Sequence, residues 1–270
     1  MMSKFKPWIA LPVIFVFFSR KTEGQVLDSS FLKAKYNFLY RPDSNSLTFF
    51  REDLLILEAG QKFSKFWSYN NMILDSAINA QLNSGGAVDL RGIPPGSSKV
   101  FFRNNKTGVF TIRDELGLYT YQFADSVKDL KWIIKADTAT FLGYKCGKAN
   151  TTFRGRDYEA WFVPQITLPV GPHLFTGLPG LVLKLKEQKG DFEFNLVSLE
   201  FLKEKRPILF EIKKTTLVTR KEYRKLVRFM IDNPDGFAAS QGMIFRTKSI
   251  DGVTNPPPPP KPPYNPIELE

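Results

Sequence analysis

The sequence predicts a mostly β protein of the α+β class, in which an antiparallel sheet is curved or forms a half-barrel and carries one or two helices. Three observations predict it. Aromatic residues are numerous, with 25 Phe, 9 Tyr and 4 Trp, and such side chains suit half-buried pleated surfaces. Apolar and polar residues alternate along many short runs, which Gly, Pro, Asn and Asp separate. Helical features are confined to two segments.

The first residues have the pattern of a secretory signal peptide. Lys4 and Lys6 precede residues 7–19, an apolar run with almost no interruption. A basic leader followed by an apolar run of about 7–15 residues is typical of exported proteins. The run is too short to span a bilayer comfortably, which takes about 20 residues. We therefore expect residues 1–24 to direct export.

Cleavage of this signal peptide is expected before Gln25. Thr22 and Gly24 place small residues at the two positions that define such cleavage sites. The alternative is an uncleaved amino-terminal anchor, since Arg20 and Lys21 make the cleavage region charged. A lipid anchor is not expected, because no cysteine lies near the cleavage point.

The rest of the chain is predicted to form one β-rich domain, 25–254, followed by a proline-rich C-terminal tail, 255–270. Cys146 is the only cysteine, which excludes an internal disulfide. A domain of this length has a core large enough to fold without one. Export without disulfides fits a bacterial envelope better than a small eukaryotic secreted module.

The order of the strands follows from alternation and turn residues. Strands are predicted at 31–40, 53–58, 62–67, 100–103, 109–113, 118–123, 130–134, 138–142, 151–154 and 158–162. Residues 84–98 are rich in Gly and Pro and predict a loop. The clearest hairpin joins 181–185 to 192–196 around Gly190, because Leu or Phe alternates with polar residues on both sides.

Two segments predict helices. Residues 69–82 contain neither Gly nor Pro. Residues 219–232 have a stronger signature, because Thr219 and Glu222 form a capping box that satisfies two backbone donors. Behind the cap runs one apolar stripe, made of Tyr223, Leu226, Val227, Met230 and Ile231. Pro234 is expected to end this helix.

The opposite face of the 219–232 helix is strongly basic. It carries Arg220, Lys221, Arg224, Lys225 and Arg228. We interpret it as the solvated face of a helix packed on the sheet. The alternative is contact with an anionic membrane surface or another polyanion. A nucleic-acid partner is not expected despite the net charge of +11, because export removes the usual partner.

The tail is expected to be extended and peripheral, because residues 256–260 are consecutive prolines. We interpret it as a passive tail. The alternative is that it serves as a docking ligand for another protein.

Residues 171–181 contain two stiff connections that precede a predicted strand. The first is Gly171-Pro172, and the second is Gly177-Leu178-Pro179-Gly180, followed by Leu181. Pro179 fixes φ and Gly180 accepts a positive φ, which together predict a type II turn. We expect this turn to fold its apolar neighbours inward and to start the next strand.

This segment resembles the GLPGLI family, which is named after that turn and is known from Gram-negative envelopes. Further similarities follow in order along the chain: 57–66, Asp75-Ser76, Tyr144, Cys146, Ala149, Phe153, Gly155, Arg156, Tyr158, Ala160, Trp161, Gly171-Pro172, Phe175, Gly177 to Leu181, and Asn265-Pro266-Ile267-Glu268. Val182 departs from the family pattern, and residues 256–260 lie outside it. The resemblance implies export and a β fold. It implies no activity, because the family has no settled one.

Few residue types for catalysis are available. His173 is the only histidine, which excludes multi-histidine metal sites, and no cofactor is predicted. Nucleophile-elbow, Walker and dinucleotide motifs are absent from the sequence. A Cys146–His173 pair is the remaining nucleophilic option, since an imidazole can generate a thiolate. Lone cysteines are usually small buried apolar residues, so we expect no catalysis from this pair.

Charged residues cluster around the turn at Gly155. Arg154, Arg156, Asp157 and Glu159 flank it. We interpret them as surface cross-strand pairs, and the alternative is a polar ligand site. The phenylalanines are similarly expected to form core. The alternative is that the phenylalanines line an apolar cavity of the kind found in half-barrel carriers of lipids and lipoproteins.

Three short motifs match a pattern used for O-glycosylation in some envelope proteins. They are Asp75-Ser76-Ala77, Asp125-Ser126-Val127 and Asp137-Thr138-Ala139. So short a pattern arises by chance, but three occurrences make modification of Ser76, Ser126 and Thr138 a hypothesis. A mass equal to that of the unmodified mature chain would exclude it.

Taken together, these features favour a non-enzymatic exported protein in the periplasm or at the outer membrane, or secreted. We expect it to bind a hydrophobic ligand, such as a lipid or lipoprotein, or an outer-membrane partner. The alternatives are an accessory interaction protein without a ligand cavity and a Cys146-dependent enzyme.

Overall fold

A computed structural model describes residues 24–46, 48–85, 88–242 and 264–269. In them twelve strands form one sheet, to which three helices are attached. The strands are β1 (Gly24–Tyr40), β2 (Arg51–Ala59), β3 (Phe63–Ser68), β4 (Val100–Asn104), β5 (Val109–Leu116), β6 (Tyr119–Ser126), β7 (Ile133–Phe141), β8 (Tyr144–Phe153), β9 (Arg156–Val163), β10 (Leu181–Glu187), β11 (Phe192–Glu211) and β12 (Thr215–Leu217). The helices are α1 (Tyr69–Asn83), α2 (Arg220–Asp232) and α3 (Pro234–Ser240).

The strand order is β12-β6-β5-β4-β3-β2-β1-β11-β10-β9-β8-β7. Neighbouring strands pair antiparallel, except that β12 pairs parallel with β6. Most neighbours in space are also neighbours in sequence, because hairpins connect them. The predicted fold class, a mostly antiparallel curved sheet with helices, is therefore confirmed.

The sheet curves until its two ends approach each other. β6 lies next to one edge of the sheet, whereas β8 and β9 lie near the other edge. Nevertheless, Arg154 in the turn between β8 and β9 donates hydrogen bonds to Asp125 of β6, with N–O distances of 2.8 Å. Such a contact requires a strongly curved sheet, which defines a concave and an outer face.

The concave face is filled by the chain's own loop, residues 164–180. Leu174, Phe175 and Leu178 of this loop are at most 1% exposed. The ring of Phe175 lies 4.5 Å from that of Tyr158, measured between centroids. Nine phenylalanines belong to this core, which confirms their predicted role: Phe66, Phe101, Phe110, Phe123, Phe153, Phe162, Phe175, Phe194 and Phe237.

β1 and β11 extend beyond the rest of the sheet as a two-stranded arm. Residues 24–30 pair with β11 alone, whereas β1 pairs with β2 only from Leu32 onwards. The arm folds over the outer face of β4, where the ring of Phe210 lies 4.8 Å from that of Phe102. Arg113 of β5 holds it there by donating a hydrogen bond to the backbone carbonyl of Glu211.

Several elements differ from the sequence-based expectations. Two strands are predicted at 130–134 and 138–142, but one strand, β7, covers Ile133–Phe141, and its pairing with β8 is irregular between Ile134 and Thr138. Pro234 ends α2 as predicted, and it also begins α3. Proline is favourable at the first position of a helix, because the backbone N–H that it lacks would have no hydrogen-bond partner there.

The α2 helix follows its predicted pattern. Thr219 caps it and Glu222 completes the capping box. Its apolar stripe packs on the core through Tyr223, Leu226, Val227 and Met230. The 69–82 helix is likewise confirmed as α1, with Ser68 as its N-cap.

Apart from Gly24, the predicted leader lies outside the described residues, as do residues 255–263 and 270 of the predicted tail. In the part of the chain that the structure describes, no helix is long and apolar enough to cross a membrane.

Candidate functional site

Residues 264–269, which we call the closing segment, lie across the turn between β8 and β9 and beside α2. The tail was expected to be peripheral, and for this part the expectation is wrong. Ile267 packs against the core. The backbone N–H of Leu269 donates to the carbonyl of Arg154 at 3.0 Å, and Arg224 of α2 donates to the carbonyl of Leu269 at 2.8 Å. The segment is thus held from both sides.

Arg154 is the centre of a buried ionic cluster at this position. Its guanidinium binds Asp125 through two parallel hydrogen bonds and also donates to Glu268 of the closing segment. Only 6% of the Arg154 side chain and 7% of the Asp125 side chain are exposed. Burial opposes the positive charge, but Asp125 and Glu268 outweigh it and raise the pKa of Arg154.

Glu268 connects this cluster to α2. Its Oε2 also accepts a hydrogen bond from Nη2 of Arg220 at 2.7 Å. Burial opposes ionisation of this carboxyl, but the positive charges of Arg154 and Arg220 outweigh it and hold the pKa of Glu268 below its usual value. The carboxylate is therefore charged at neutral pH and neutralised by arginines from two separate elements.

His173 of the 164–180 loop contacts the same carboxylate. Its Nε2 lies 3.9 Å from Oε1 of Glu268, and its ring lies 4.6 Å from that of Phe101. Burial, reinforced by the nearby Lys99 and Arg154, lowers the pKa of His173 to about 3, although Glu268 opposes this. The imidazole is therefore neutral, and its buried Nδ1 has no hydrogen-bond partner in the described part of the chain.

Arg156 recognises the backbone of the closing segment. Its Nη2 donates to Oδ1 of Asn265 at 2.6 Å and to the carbonyl of Pro266 at 2.8 Å. Its Nη1 donates to Asp191 at 3.2 Å. The hydroxyl of Tyr158 donates to the next carbonyl, that of Ile267, at 2.9 Å. Strand β9 thus supplies a row of donors that matches consecutive peptide units.

Asp114 is a buried acid in contact with α2. Asp114 of β5 accepts hydrogen bonds from the hydroxyls of Ser98 and Tyr223. The Nζ atom of Lys99 lies 3.7 Å from Asp114. The ring of Tyr223 also stacks on Phe123, which fixes α2 on the concave face. Asp114 therefore anchors the helix that supplies Arg220 and Arg224.

The four charged residues around Gly155 are predicted to lie at the surface, and two of them do. Asp157 and Glu159 lie at the surface, where Glu159 pairs with Lys148 at 2.8 Å. Arg154 and Arg156 are instead buried, at 8% and 6% exposure. Their partners come from distant strands and from the closing segment, which no local pattern indicates.

Cys146 and His173 do not form the pair that a thiol enzyme would require. Cys146 lies in the core with 1% exposure, and its Sγ donates to the carbonyl of Tyr144 at 3.4 Å. Burial raises the pKa of this thiol, which disfavours the thiolate. The neighbours of His173 are Phe101, Phe175 and Glu268, so neither side chain activates the other.

The 177–180 segment differs from the predicted turn. Gly180 has a φ of +154°, whereas a type II turn requires about +80° at this position. Its N–H donates to the carbonyl of Leu178 at 2.8 Å. A Cβ on Gly180 would lie 2.1 Å from the carbonyl oxygen of Val163, so close packing rather than a type II turn requires glycine here.

The other residues that carry the family resemblance are explained by packing and burial. Gly171 is similarly enclosed, because its Cβ would lie 2.4 Å from the carbonyl oxygen of Phe175. Pro172 and Leu181 are buried, whereas Gly177 and Pro179 are exposed. Trp161 is half-buried and donates to Glu159 at 2.9 Å. Arg156 differs from these residues, because it binds the closing segment through Asn265 and Pro266.

The three hydroxyls predicted as O-glycosylation sites, those of Ser76, Ser126 and Thr138, are all on exposed residues. The neighbouring Asp125 is buried in its pair with Arg154, so the second motif is only partly accessible. Modification stays a prediction. Among the described residues, no group of His, Cys, Asp or Glu side chains is arranged to hold a metal ion.

The surface of the described residues carries a basic groove and an outer groove. The basic groove, of about 770 Å³, lies between α2 and the closing segment. Its walls are Arg220, Lys221, Arg224, Lys225, Arg228, Tyr264, Pro266 and Leu269. The basic face of α2 is therefore not simply solvated, since its arginines bind the closing segment.

The outer groove, of about 490 Å³, lies under the arm on the outer face. Its apolar residues are Leu27, Phe63, Phe102, Val109 and Phe210.

Comparisons with known proteins find similarity over part of the chain. A family model described as the N-terminal domain of an N-glycanase matches residues 105–225. No curated protein matches the chain. Two solved structures of PNGF-II are similar: the C2 crystal form, at 15% identity and a TM-score of 0.50, and the P21 form, at 14% and 0.49. Each match covers 73% of this chain but 32% of the solved chain, so this chain spans about a third of their length.

Proposed function

We propose that this chain is an exported accessory protein of the GLPGLI kind, which binds a partner macromolecule in the envelope through the outer face of its sheet and has no catalytic role of its own. The observation that carries the proposal is the position of the free apolar surface. The concave face is filled by residues 164–180, whereas the outer groove under the arm is open.

The shape of the outer groove favours a macromolecule over a free lipid. Sites for small ligands are concave and bury about 70–90% of the ligand surface. The outer groove instead runs open along the edge between the arm and β4, and Phe102, Val109 and Phe210 are among the residues that line it. A segment of a protein, or the acyl chain of a lipoprotein whose protein part binds beside it, fits such a surface better than a free lipid does.

The arm itself exposes further apolar residues. Val26 of β1 and its cross-strand neighbour Leu209 of β11 are 58% and 41% exposed. Exposed apolar clusters of this kind mark interaction sites in proteins that are otherwise well packed. The arm therefore extends the surface available to a partner beyond the outer groove.

The similarity to the N-terminal domain of an N-glycanase motivates two hypotheses, an accessory module and a glycanase. In the solved proteins the similar region is about a third of a longer chain. This suggests a module that works beside other domains or chains. The alternative is that the chain itself releases glycans, and the same purified protein can be used to test it.

Site-directed photocrosslinking in the native envelope tests the proposal. A photoreactive residue at Val109, in the wall of the outer groove, should give one discrete crosslinked product. The same residue at Val197, which is 51% exposed on β11 and is not part of the groove, should give none. Equal products at both positions, or no product at either, would contradict partner binding at this face.

A glycan-release assay separates the accessory from the enzymatic hypothesis. The purified chain, incubated with a denatured glycoprotein, is expected to release no N-glycan. Release that persists in a Cys146→Ala variant would show an enzyme whose catalytic groups lie elsewhere, and the accessory proposal would be wrong.

A further inference from the structure

The closing segment is bound in the manner of a peptide ligand. Residues 264–269 belong to neither a helix nor a strand, yet three of their carbonyl groups receive side-chain donors. Arg156 donates to Pro266, Tyr158 to Ile267, and Arg224 to Leu269. Recognition of a backbone by fixed side-chain donors is how proteins hold extended peptides that lack internal hydrogen bonds.

The side chains of the segment are recognised as well. The amide of Asn265 accepts from Arg156 and donates to the carbonyl of Arg41 at 3.0 Å. The carboxylate of Glu268 receives two arginines. Leu269 lies over Gly155, where a Cβ would come within 3.0 Å of the leucine Cβ. The contacts therefore recognise an amide and a carboxylate at defined positions, whereas Leu269 is 49% exposed.

The groups that hold the segment are fixed independently of it. Arg154 keeps its two hydrogen bonds to Asp125. Arg156 lies 3.2 Å from Asp191 and 3.6 Å from Glu187. These partners belong to strands and turns of the sheet. None of these contacts involves the closing segment, so both arginines have partners in the sheet besides the segment.

Charge complementarity identifies the ligand. Arg154 and Arg220 both bind Glu268, and both also lie beside the buried acid Asp125. Two guanidinium groups beside one buried acid favour a second carboxylate, because the planar guanidinium matches it in shape and charge. The neutral His173 closes one side of the pocket and adds no positive charge. A ligand with a carboxylate at the Glu268 position therefore suits this site.

From these contacts we propose that the groove between the β8–β9 turn and α2 is a peptide-binding site for an Asn-Pro-Ile-Glu-Leu segment, which the chain's own residues 265–269 occupy as an exchangeable ligand. The proposal is independent of the partner on the outer face. The segment is covalently part of the chain, so a separate peptide must compete with an intramolecular ligand.

Peptide exchange tests the proposal. A specific protease site is inserted after Asp251 of the full chain, and the folded protein is cut. A labelled peptide of residues 262–270 is then added, and its binding is followed by fluorescence polarisation and native mass spectrometry. It should replace the cut fragment and bind at least tenfold more tightly than the same peptide carrying Glu268→Gln. The uncut chain should bind it at least a hundredfold more weakly than the cut chain.

Two results would overturn the proposal. One is a cut chain that keeps its circular dichroism spectrum but binds no peptide. The other is equal affinity for the wild-type peptide and for the peptide that carries the Glu268→Gln substitution.

If cutting causes the chain to unfold, the same binding experiment is done with an uncut full chain that carries Glu268→Ala. This chain should bind the wild-type peptide at least tenfold more tightly than the unaltered chain does, because its own segment competes less well. Equal binding to both chains would again refute the proposal.

Discussion

Arg154 and Asp125 join the two ends of the curved sheet through a pair of parallel hydrogen bonds, each 2.8 Å long. Arg154 follows β8, and Asp125 belongs to β6, so the pair closes the sheet across its concave face. The same guanidinium holds Glu268 of the closing segment. Closure of the sheet and recognition of the segment therefore depend on one side chain.

Removing the acid of this pair should be costly. Asp125→Asn leaves the buried guanidinium of Arg154 without its bidentate partner, so we expect a loss of about 3–5 kcal/mol in the free energy of unfolding. Asp129→Asn is the matched control, because Asp129 is 60% exposed and lies 3.9 Å from Arg154. It should change stability by at most about 0.5 kcal/mol in denaturant unfolding. Similar losses for the two variants would contradict the structure.

The stability of the fold should depend on the ionisation of His173. Its pKa is lowered to about 3, below the usual value of about 6.5 in an unfolded chain. The neutral imidazole therefore contributes stability that is fully present above about pH 6.5 and lost as the pH falls towards 3. Between pH 6.5 and 4.5 we expect the free energy of unfolding to fall by about 2 kcal/mol from this group.

The control for this pH dependence is His173→Asn, since asparagine tolerates the φ of +55° at this position. The variant should lack the fall between pH 6.5 and 4.5 in denaturant unfolding. Because the chain has one histidine, its imidazole can be followed by NMR without assignment. A folded chain whose imidazole titrates near pH 6.5 would show that the burial of His173 is wrong.

Cys146 should be unreactive in the folded chain. The thiol is buried and its pKa is raised, so the thiolate that attacks disulfide reagents is scarce. A chromogenic disulfide reagent should label it slowly in buffer and completely in denaturant. Rapid stoichiometric labelling of the folded chain would place Cys146 at an accessible site and reopen the thiol-enzyme hypothesis.

The two glycines of the 177–180 turn should differ in their tolerance of alanine. Gly177→Ala meets open space and carries only the strain of a φ of +90°, about 1–2 kcal/mol. Gly180→Ala should cost more than about 3 kcal/mol, because its Cβ would overlap the backbone at Val163. Thermal unfolding of both variants measures the difference. Equal costs would mean that close packing does not determine glycine at position 180.

Local patterns were sufficient to predict much of the fold. Thr219 and Glu222 are three residues apart, so their capping box could be read directly and α2 was placed almost correctly. The β10–β11 hairpin was equally clear, because its alternation and its turn at Gly190 are contiguous. What the sequence could not show is β12, three residues that pair parallel with β6 after a long connection.

The candidate site was largely hidden from sequence analysis. Arg154 and Glu268 are 114 positions apart, and Arg154 and Asp125 are 29 apart, so no periodicity connects them. The sequence around Gly155 predicts surface charges, because burial of an arginine depends on partners that only the folded sheet supplies. The closing Asn265 to Glu268 motif was the one available signal, and it indicated a resemblance rather than a contact.

The most direct test of the account is a double-mutant cycle between Arg154 and Glu268. Arg154→Lys, Glu268→Gln and the double variant are compared with the unaltered chain by denaturant unfolding. If the closing segment is held by this pair, the two changes should be coupled by about 1–3 kcal/mol. Additive effects, within about 0.5 kcal/mol, would show that Glu268 does not contact Arg154 and that the segment is not bound in this groove.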